Sequence, residues 1–252
     1  GSIVPHFQPV TSPDGRHVLS VEALAHWNDP ARGVIPPPLF LGIADRHNLI
    51  EQITERMLGE SLAALRRWQD AGLAPPRLSL NMSATELRRE GAVARIEGAL
   101  ETAGIAPARL AIEVREAVCH ARGHEIALAA LAEIAALGVE VTLDDFGEDQ
   151  AAVANLQKLR VASAKIDRQL VARICGDQDS IGLVRALAGL ARSMQLRVYA
   201  KGVETAAQTG LLAPVCDGLQ GAALAPPMPE DRFADWLARR PPGPALADRR
   251  SA

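Results

Sequence analysis

Short apolar runs, separated for the most part by longer Ala/Leu-rich stretches, constrain this chain more than any other feature. The runs are His6–Val10, Val18–Leu24, Arg77–Asn81, Leu110–Val114, Val139–Leu143, Ala162–Ile166, Leu196–Ala200 and a weaker one at Leu219–Leu224. Each has the length and apolar bias of a strand buried on both faces. Helical patterning covers about Leu49–Ala71, Ala84–Thr102, His124–Leu137, Gln150–Leu159 and Asp179–Met194. Shorter helices are expected at Leu39–Asp45, Ala206–Leu212 and Glu230–Ala238. Strands alternating with helices at this density predict an α/β fold, a (β/α)8 TIM-type barrel spanning residues 1–240 as one domain. The connector TSPDGRH between the first two runs is turn-rich. The barrel is therefore expected to begin with one antiparallel strand. A doubly wound open sheet is the alternative, but no G-x-G-x-x-G follows the first run. Residues 241–252 read as a Pro/Arg-rich C-terminal tail or linker.

Composition narrows the partners. A net charge of −3 argues against a broad nucleic-acid or membrane-binding surface. Aromatic residues make up only 3% of the chain, too few for a platform that stacks single-stranded bases. No nucleic-acid partner and no direct membrane contact are expected. The three cysteines are odd in number and lack metal-ligand spacing, as in a reduced cytoplasmic protein. Gly1-Ser2 reads as a cloning scar, so the chain is expected to come from a larger protein, such as a membrane-associated one with cytoplasmic signalling domains.

The polar residues at or just after the runs are Glu22, Asn81, Glu113, Glu116, Asp144, Asp145, Lys165, Asp167, Lys201, Glu204 and Gln220. In a barrel the C-terminal strand ends form the active face, so the chain gathers several carboxylates there. Unpaired carboxylates at close range repel one another and take up protons. Hard divalent cations relieve this, and an all-oxygen set suits Mg²⁺, Mn²⁺ or Ca²⁺ rather than zinc. Asp144-Asp145 is placed to bridge two ions. Any one of these residues alone reads equally as a helix N-cap or a solvated strand end; the recurrence from strand to strand favours a site. His120 and His124 lie at i, i+4, but Gly123 and the lack of a third ligand favour a solvated helix start.

The segments VEALAHW, LSLNMSA, LAIEVREA, VTLDDFG, AKIDRQLV, AKGVET and LQGAALAPPMP resemble, in order, the motifs of EAL domains, the cyclic di-GMP phosphodiesterase family. The resemblance runs from about Phe7 to Leu237. It implies the same barrel, with a site that in active members holds Mg²⁺ or Mn²⁺ and opens cyclic di-GMP to the linear dinucleotide. Carried over by motif, Glu22, Asn81, Glu113, Asp144 and Asp145 match metal ligands. Lys165 matches the lysine near the attacking water and phosphate. Glu116 matches the glutamate that steadies the loop after the DDFG strand. The ligand-binding set comprises Gln8, Leu24, His26, Asp167, Glu204 and Gln220.

The departures from the family pattern are as informative. DDFG continues as EDQAAV, placing Glu148, Asp149 and Gln150 in a loop that is small-residue-rich in active members. The family's A-E-G-V-E reads AKGVE, so Lys201 replaces the glutamate assigned to metal coordination and water activation. His26 stands where an arginine grips a ligand phosphate, Arg115 replaces a small hydroxyl residue, and Ala225-Pro226-Pro227 replaces a polar segment. A +1 charge about 5 Å from a divalent ion repels it by roughly 6–7 kcal/mol at an effective dielectric of ~20. Lys201 is therefore expected to lie among Asp144, Asp145 and Glu113 as an internal counter-ion, the alternative being an ammonium that snorkels to solvent. Mg²⁺ or Mn²⁺ binding is expected to be weakened. The favoured reading is a degenerate, inactive EAL domain that acts as a cyclic di-GMP receptor working through a protein partner or flanking domains. The alternatives are an interaction domain that binds no nucleotide and an active phosphodiesterase; a homodimer is left open.

Overall fold

The computed structural model describes residues 2–73, 75–119, 123–148 and 160–241. The expected helix Gln150–Leu159, residues 242–252 of the tail, His120, and Asp149 with Gln150 of the altered loop lie outside these. The strands are β1 (Ser2–Thr11), β2 (Val18–Asp29), β3 (Gly33–Ile35), β4 (Leu78–Asn81), β5 (Leu110–Arg115), β6 (Glu140–Phe146), β7 (Ser163–Ile166), β8 (Arg197–Ala200) and β9 (Gly218–Leu219). In the sheet they run β1-β9-β8-β7-β6-β5-β4-β2-β3, and β1 also pairs with β2. That pairing closes eight strands into a barrel and leaves β3 as an arm on β2. β1 is antiparallel to both neighbours, and every pairing from β2 through β4 to β9 is parallel. The expected antiparallel start is therefore present.

The described helices are α1 (Leu41–Arg46), α2 (Ile50–Asp70), α3 (Ala84–Leu87), α4 (Ala92–Ala103), α5 (His124–Ala136), α6 (Arg168–Arg173), α7 (Gln178–Ser193), α8 (Ala206–Leu212) and α9 (Glu230–Ala238). α2 buries Met57, Leu58, Leu62, Leu65 and Trp68, the i, i+3, i+4 stripe of a core-facing helix. Trp68 packs edge-on to Phe7 at 4.7 Å and against Phe233 of α9 at 4.9 Å between ring centroids, tying both helices to β1. The sequence predicts one helix over Ala84–Thr102, and the structure divides it. Ser83 and Glu86 form a capping box that starts α3, and Gly91 at φ 77° starts α4 afresh.

The two ends of the barrel differ in character. At the N-terminal end Glu140 accepts from Arg77, at 2.5 Å, and from Arg197. Thr142 Oγ1 and Ser163 Oγ are 2.8 Å apart just above. Burial and paired charge here read as stabilisation. The other end carries the site.

Candidate functional site

The side chains that converge do so because alternate residues of a strand share a face. Asn81 is in register with Glu113, and Arg115, two residues on, is in register with Asp144. β6 then breaks the pattern. Leu143 pairs with Ala164 and Phe146 with Ile166, so Asp144 and Asp145 together oppose Lys165 alone. This is a β-bulge, and Asp145 takes a positive φ of 55° to make it. A non-glycine residue there carries strain. The result is two consecutive carboxylates at one mouth instead of on opposite faces of the sheet.

Lys165 lies at the floor, 2% exposed. Its Nζ donates to Glu22 Oε2 at 2.7 Å and is 2.6 Å from Glu113 Oε1. Glu22 also accepts from Asn81 Nδ2 at 2.7 Å and from Gln220 Nε2 at 2.9 Å. Gln220 lies 3.5 Å from Gln8 Oε1, and Gln8 Nε2 donates to the Ala225 carbonyl at 3.0 Å. Above this group, Lys201 Nζ sits 2.7 Å from Asp144 Oδ1 and also bonds Asp145. Arg115 Nε reaches Asp145 Oδ2 at 2.9 Å.

The charges sort by environment. Burial would raise the pKa of Glu22, but Lys165 and three hydrogen bonds overcome it and hold the carboxyl at about 2. Glu113 goes the other way, to about 8, because burial and the charges of Glu22 and Asp144 outweigh Lys165. Two buried carboxyls sharing one ammonium thus retain one proton between them near neutrality. Burial also raises Asp144, despite Lys201 and Lys165. Burial works against both lysine ammoniums, yet their carboxylates outweigh it and raise both pKa values.

The sequence places Lys201 among Asp144, Asp145 and Glu113. The structure puts it on the two aspartates only, and Lys165 takes Glu113. The remaining expected residues divide. Gln8 and Gln220 join the network, and Leu24 lines the adjoining cleft. Glu116 Oε1 accepts from Gly147 N–H at 3.2 Å, holding the start of the loop after β6. Asp167 caps α6 by accepting from Gln169 N–H at 2.8 Å. Glu204 is exposed, and its own N–H donates to Gln208. His26 is buried, with Nδ1 3.0 Å from the Leu24 carbonyl and its ring stacked on His6 at 4.0 Å. The Arg115–Asp145 pair is absent from the sequence reading, which registers Arg115 only as an unusual neighbour of Glu113.

Beside the mouth opens a cleft of about 570 Å³ between β2, β4, β5 and the α1–α2 segment. Leu24, Pro37, Leu41 and Ile53 give it apolar walls, and Asn81, Glu113 and Arg115 a polar side. That is the size and lining of a small-molecule site. A second hollow of about 630 Å³, lined by Leu58, Arg66, Ile96 and Ala99, lies between α2 and α4 and adjoins the cleft at Thr54, Met82 and Glu86.

The EAL domain family model matches residues 1–227. The chain belongs to the EAL domain family. It is 35% identical over 233 residues to the bifunctional diguanylate cyclase/cyclic di-GMP phosphodiesterase MucR of Pseudomonas aeruginosa, covering 92% of this chain and 34% of MucR. It is 32% identical over 234 residues to the cyclic di-GMP phosphodiesterase NbdA of the same organism, covering 92% of this chain and 30% of NbdA. The chain thus spans about a third of these relatives' length. The solved MucR phosphodiesterase in complex with c-di-GMP superposes with a TM-score of 0.87 at 34% identity, covering 92% of this chain and 94% of that one. The EAL enzyme Bd1971, in its form bound to cAMP and cyclic di-GMP, gives 0.87 at 25% identity, covering 92% and 64%.

The family's divalent ions can be tested against this EAL domain's donors. Oxygens of Glu22, Asn81, Glu113, Asp144 and Asp145 suit hard cations. Their arrangement does not fit a two-ion set. Lys201 bonds both aspartates that would bridge the ions, and Lys165 bonds Glu22 and Glu113. Among the described residues no three His, Cys, Asp or Glu side chains are grouped to hold a metal.

Proposed function

We propose that this EAL domain is a degenerate, catalytically inactive receptor for cyclic di-GMP. The observation that carries the reading is Lys201 bonded to both Asp144 and Asp145. A protonated lysine cannot act as the general base that the family's glutamate provides, and its charge repels an ion at the aspartate pair. The pocket for a ligand is retained. The cleft beside Leu24 persists, and Gln8 and Gln220 stay in place at the mouth, bonded to the Ala225 carbonyl and to Glu22. The MucR phosphodiesterase and Bd1971, which share this fold, are solved with cyclic di-GMP bound.

The receptor would act in the cytoplasm, through a partner or through domains flanking it in a longer protein. No disulfide joins the three cysteines, and no described helix is long and apolar enough to cross a membrane. One observation favours a second reading, an interaction domain that binds no nucleotide: His26 is committed to His6 and Leu24. Calorimetry with cyclic di-GMP, with and without Mn²⁺, separates the readings, alongside a hydrolysis assay. Binding without turnover supports the receptor. No heat at tens of micromolar ligand removes it, and turnover at the rates of active relatives overturns the inactive assignment.

A further inference from the structure

We propose that Arg115 grips a phosphodiester of the bound cyclic dinucleotide, a contact His26 is not free to make. The inference rests on the receptor reading and names the side chain that would hold the ligand's phosphate. Among the described residues three cations stand near the mouth, and they differ in availability. Lys165 is 2% exposed and bonded to two carboxylates. The Lys201 side chain is 19% exposed and likewise bonded to two. The Arg115 side chain is 72% exposed and, among the described residues, forms an ion pair with Asp145 alone.

Position adds to availability. Arg115 follows Glu113 by two residues on β5, so it rises from the same face of the barrel at the rim. Among the described residues lining the 570 Å³ cleft it is the single cation; the other charged ones are Asp45, Glu86 and Glu113. Glu86 is committed to the Ser83 cap, and Glu113 faces Lys165. A dianionic ligand entering this cleft therefore meets Arg115 as the positive group among the described lining residues. The ion pair with Asp145 holds the guanidinium at the rim, and its planar fork carries five donors matched to phosphate oxygens. The replaced arginine position on β2 offers no such group, because the His26 ring is buried, stacked and bonded to a carbonyl.

The experiment is calorimetry of the wild type, Arg115→Ala and Arg115→Lys with cyclic di-GMP, from 50 to 300 mM salt (about a twofold change in Debye length). Arg115→Ala is expected to weaken binding by about 10- to 100-fold and to flatten its salt dependence. Arg115→Lys, which keeps the charge but not the fork, is expected to fall between. Melting temperatures should stay close together, since an exposed ion pair contributes little and Lys201 still holds Asp145. Wild-type binding with unchanged affinity and salt slope in Arg115→Ala overturns this inference and leaves the receptor reading standing. Absence of wild-type binding overturns both.

Discussion

Lys201 Nζ stands 2.7 Å from Asp144 Oδ1 and bonds Asp145 as well, so a single ammonium spans both carboxylates of the β6 bulge. The bulge aims the two aspartates at one point, and a point with two negative charges requires a positive partner. In this chain the partner is a side chain of the protein itself, Lys201. That makes the charge balance of the mouth a property of the fold rather than of the ions in solution.

Replacing that partner should return the demand to solution. Lys201→Glu leaves Asp144, Asp145 and a new carboxylate without their ammonium. In the absence of metal its melting temperature is expected to fall, and Mn²⁺ or Mg²⁺ should restore it, whereas the wild type should hardly respond. Binding of Mn²⁺ by calorimetry should strengthen by at least tenfold, about 1.4 kcal/mol. Hydrolysis is not expected to reach full rates, since Glu148 still opens the altered loop. Equal metal responses in the two proteins would falsify the counter-ion account.

Lys165 is the second internal cation, and it has no exposed alternative. Lys165→Met leaves Glu22 and Glu113 buried with no ammonium within reach. Breaking a buried pair from one side costs about 3–5 kcal/mol. Denaturant unfolding should show that loss at pH 7. Adding Glu22→Gln should recover part of it, because the stranded charge is then gone. If the double variant is no more stable than Lys165→Met, Glu22 does not depend on Lys165.

Much of this was legible in the residues, and the exceptions have physical causes. Strand ends can be read from apolar runs, so Glu22, Asn81, Glu113 and the two aspartates could be placed at one mouth. The division of labour between the lysines could not, because reach and rotamer decide which carboxylate each meets. Lys165 rises two strands from Glu113 and claims it, leaving Lys201 the aspartates. The Arg115 contact escaped for the same reason. The run Leu219–Leu224 proved a strand only at Gly218–Leu219, since the chain turns at Gly221 against Val203. β3 went unread because it is three residues long and two of them, Gly33 and Val34, are exposed.

The split between Glu22 and Glu113 predicts an unusual pH profile. Glu22 titrates at about 2 in the fold against an ordinary 4.5, so its stabilisation is present above 4.5 and is lost as pH falls toward 2. Glu113 titrates at about 8 against 4.5. Between these values the folded chain keeps a proton that the unfolded chain has released, so stability declines as pH rises through that window. Glu113→Gln removes the decline and leaves the acid limb in place. Relative to wild type it should gain stability from pH 5 to 8, on the order of 3 kcal/mol. Parallel unfolding profiles for the two proteins would show that Glu113 is ionised throughout.

Backbone contact near the AKGVET turn gives the last prediction. Val203 N–H donates to the Gln220 carbonyl at 3.0 Å, and Ala223 N–H donates to the Val203 carbonyl at 3.0 Å. Gly221 lies between these bonds, where a Cβ would come within 2.1 Å of Val203 O and 2.3 Å of Val203 N. No side-chain movement relieves a clash with main chain. Gly221→Ala must therefore part the segment carrying Lys201 from the one carrying Gln220, at a cost of about 1–3 kcal/mol. For a chain of this size that is a melting-temperature loss of several degrees, at about 2–4 °C per kcal/mol. The displacement also loosens the Gln220–Glu22 bond, so affinity for cyclic di-GMP should fall with it. Gly210→Ala is the control. It lies within α8 with nothing within 4 Å of its added methyl, and should gain about 0.5–1 kcal/mol. Opposite signs for two Gly→Ala changes would isolate the main-chain contact; a gain at both positions would show that the turn yields.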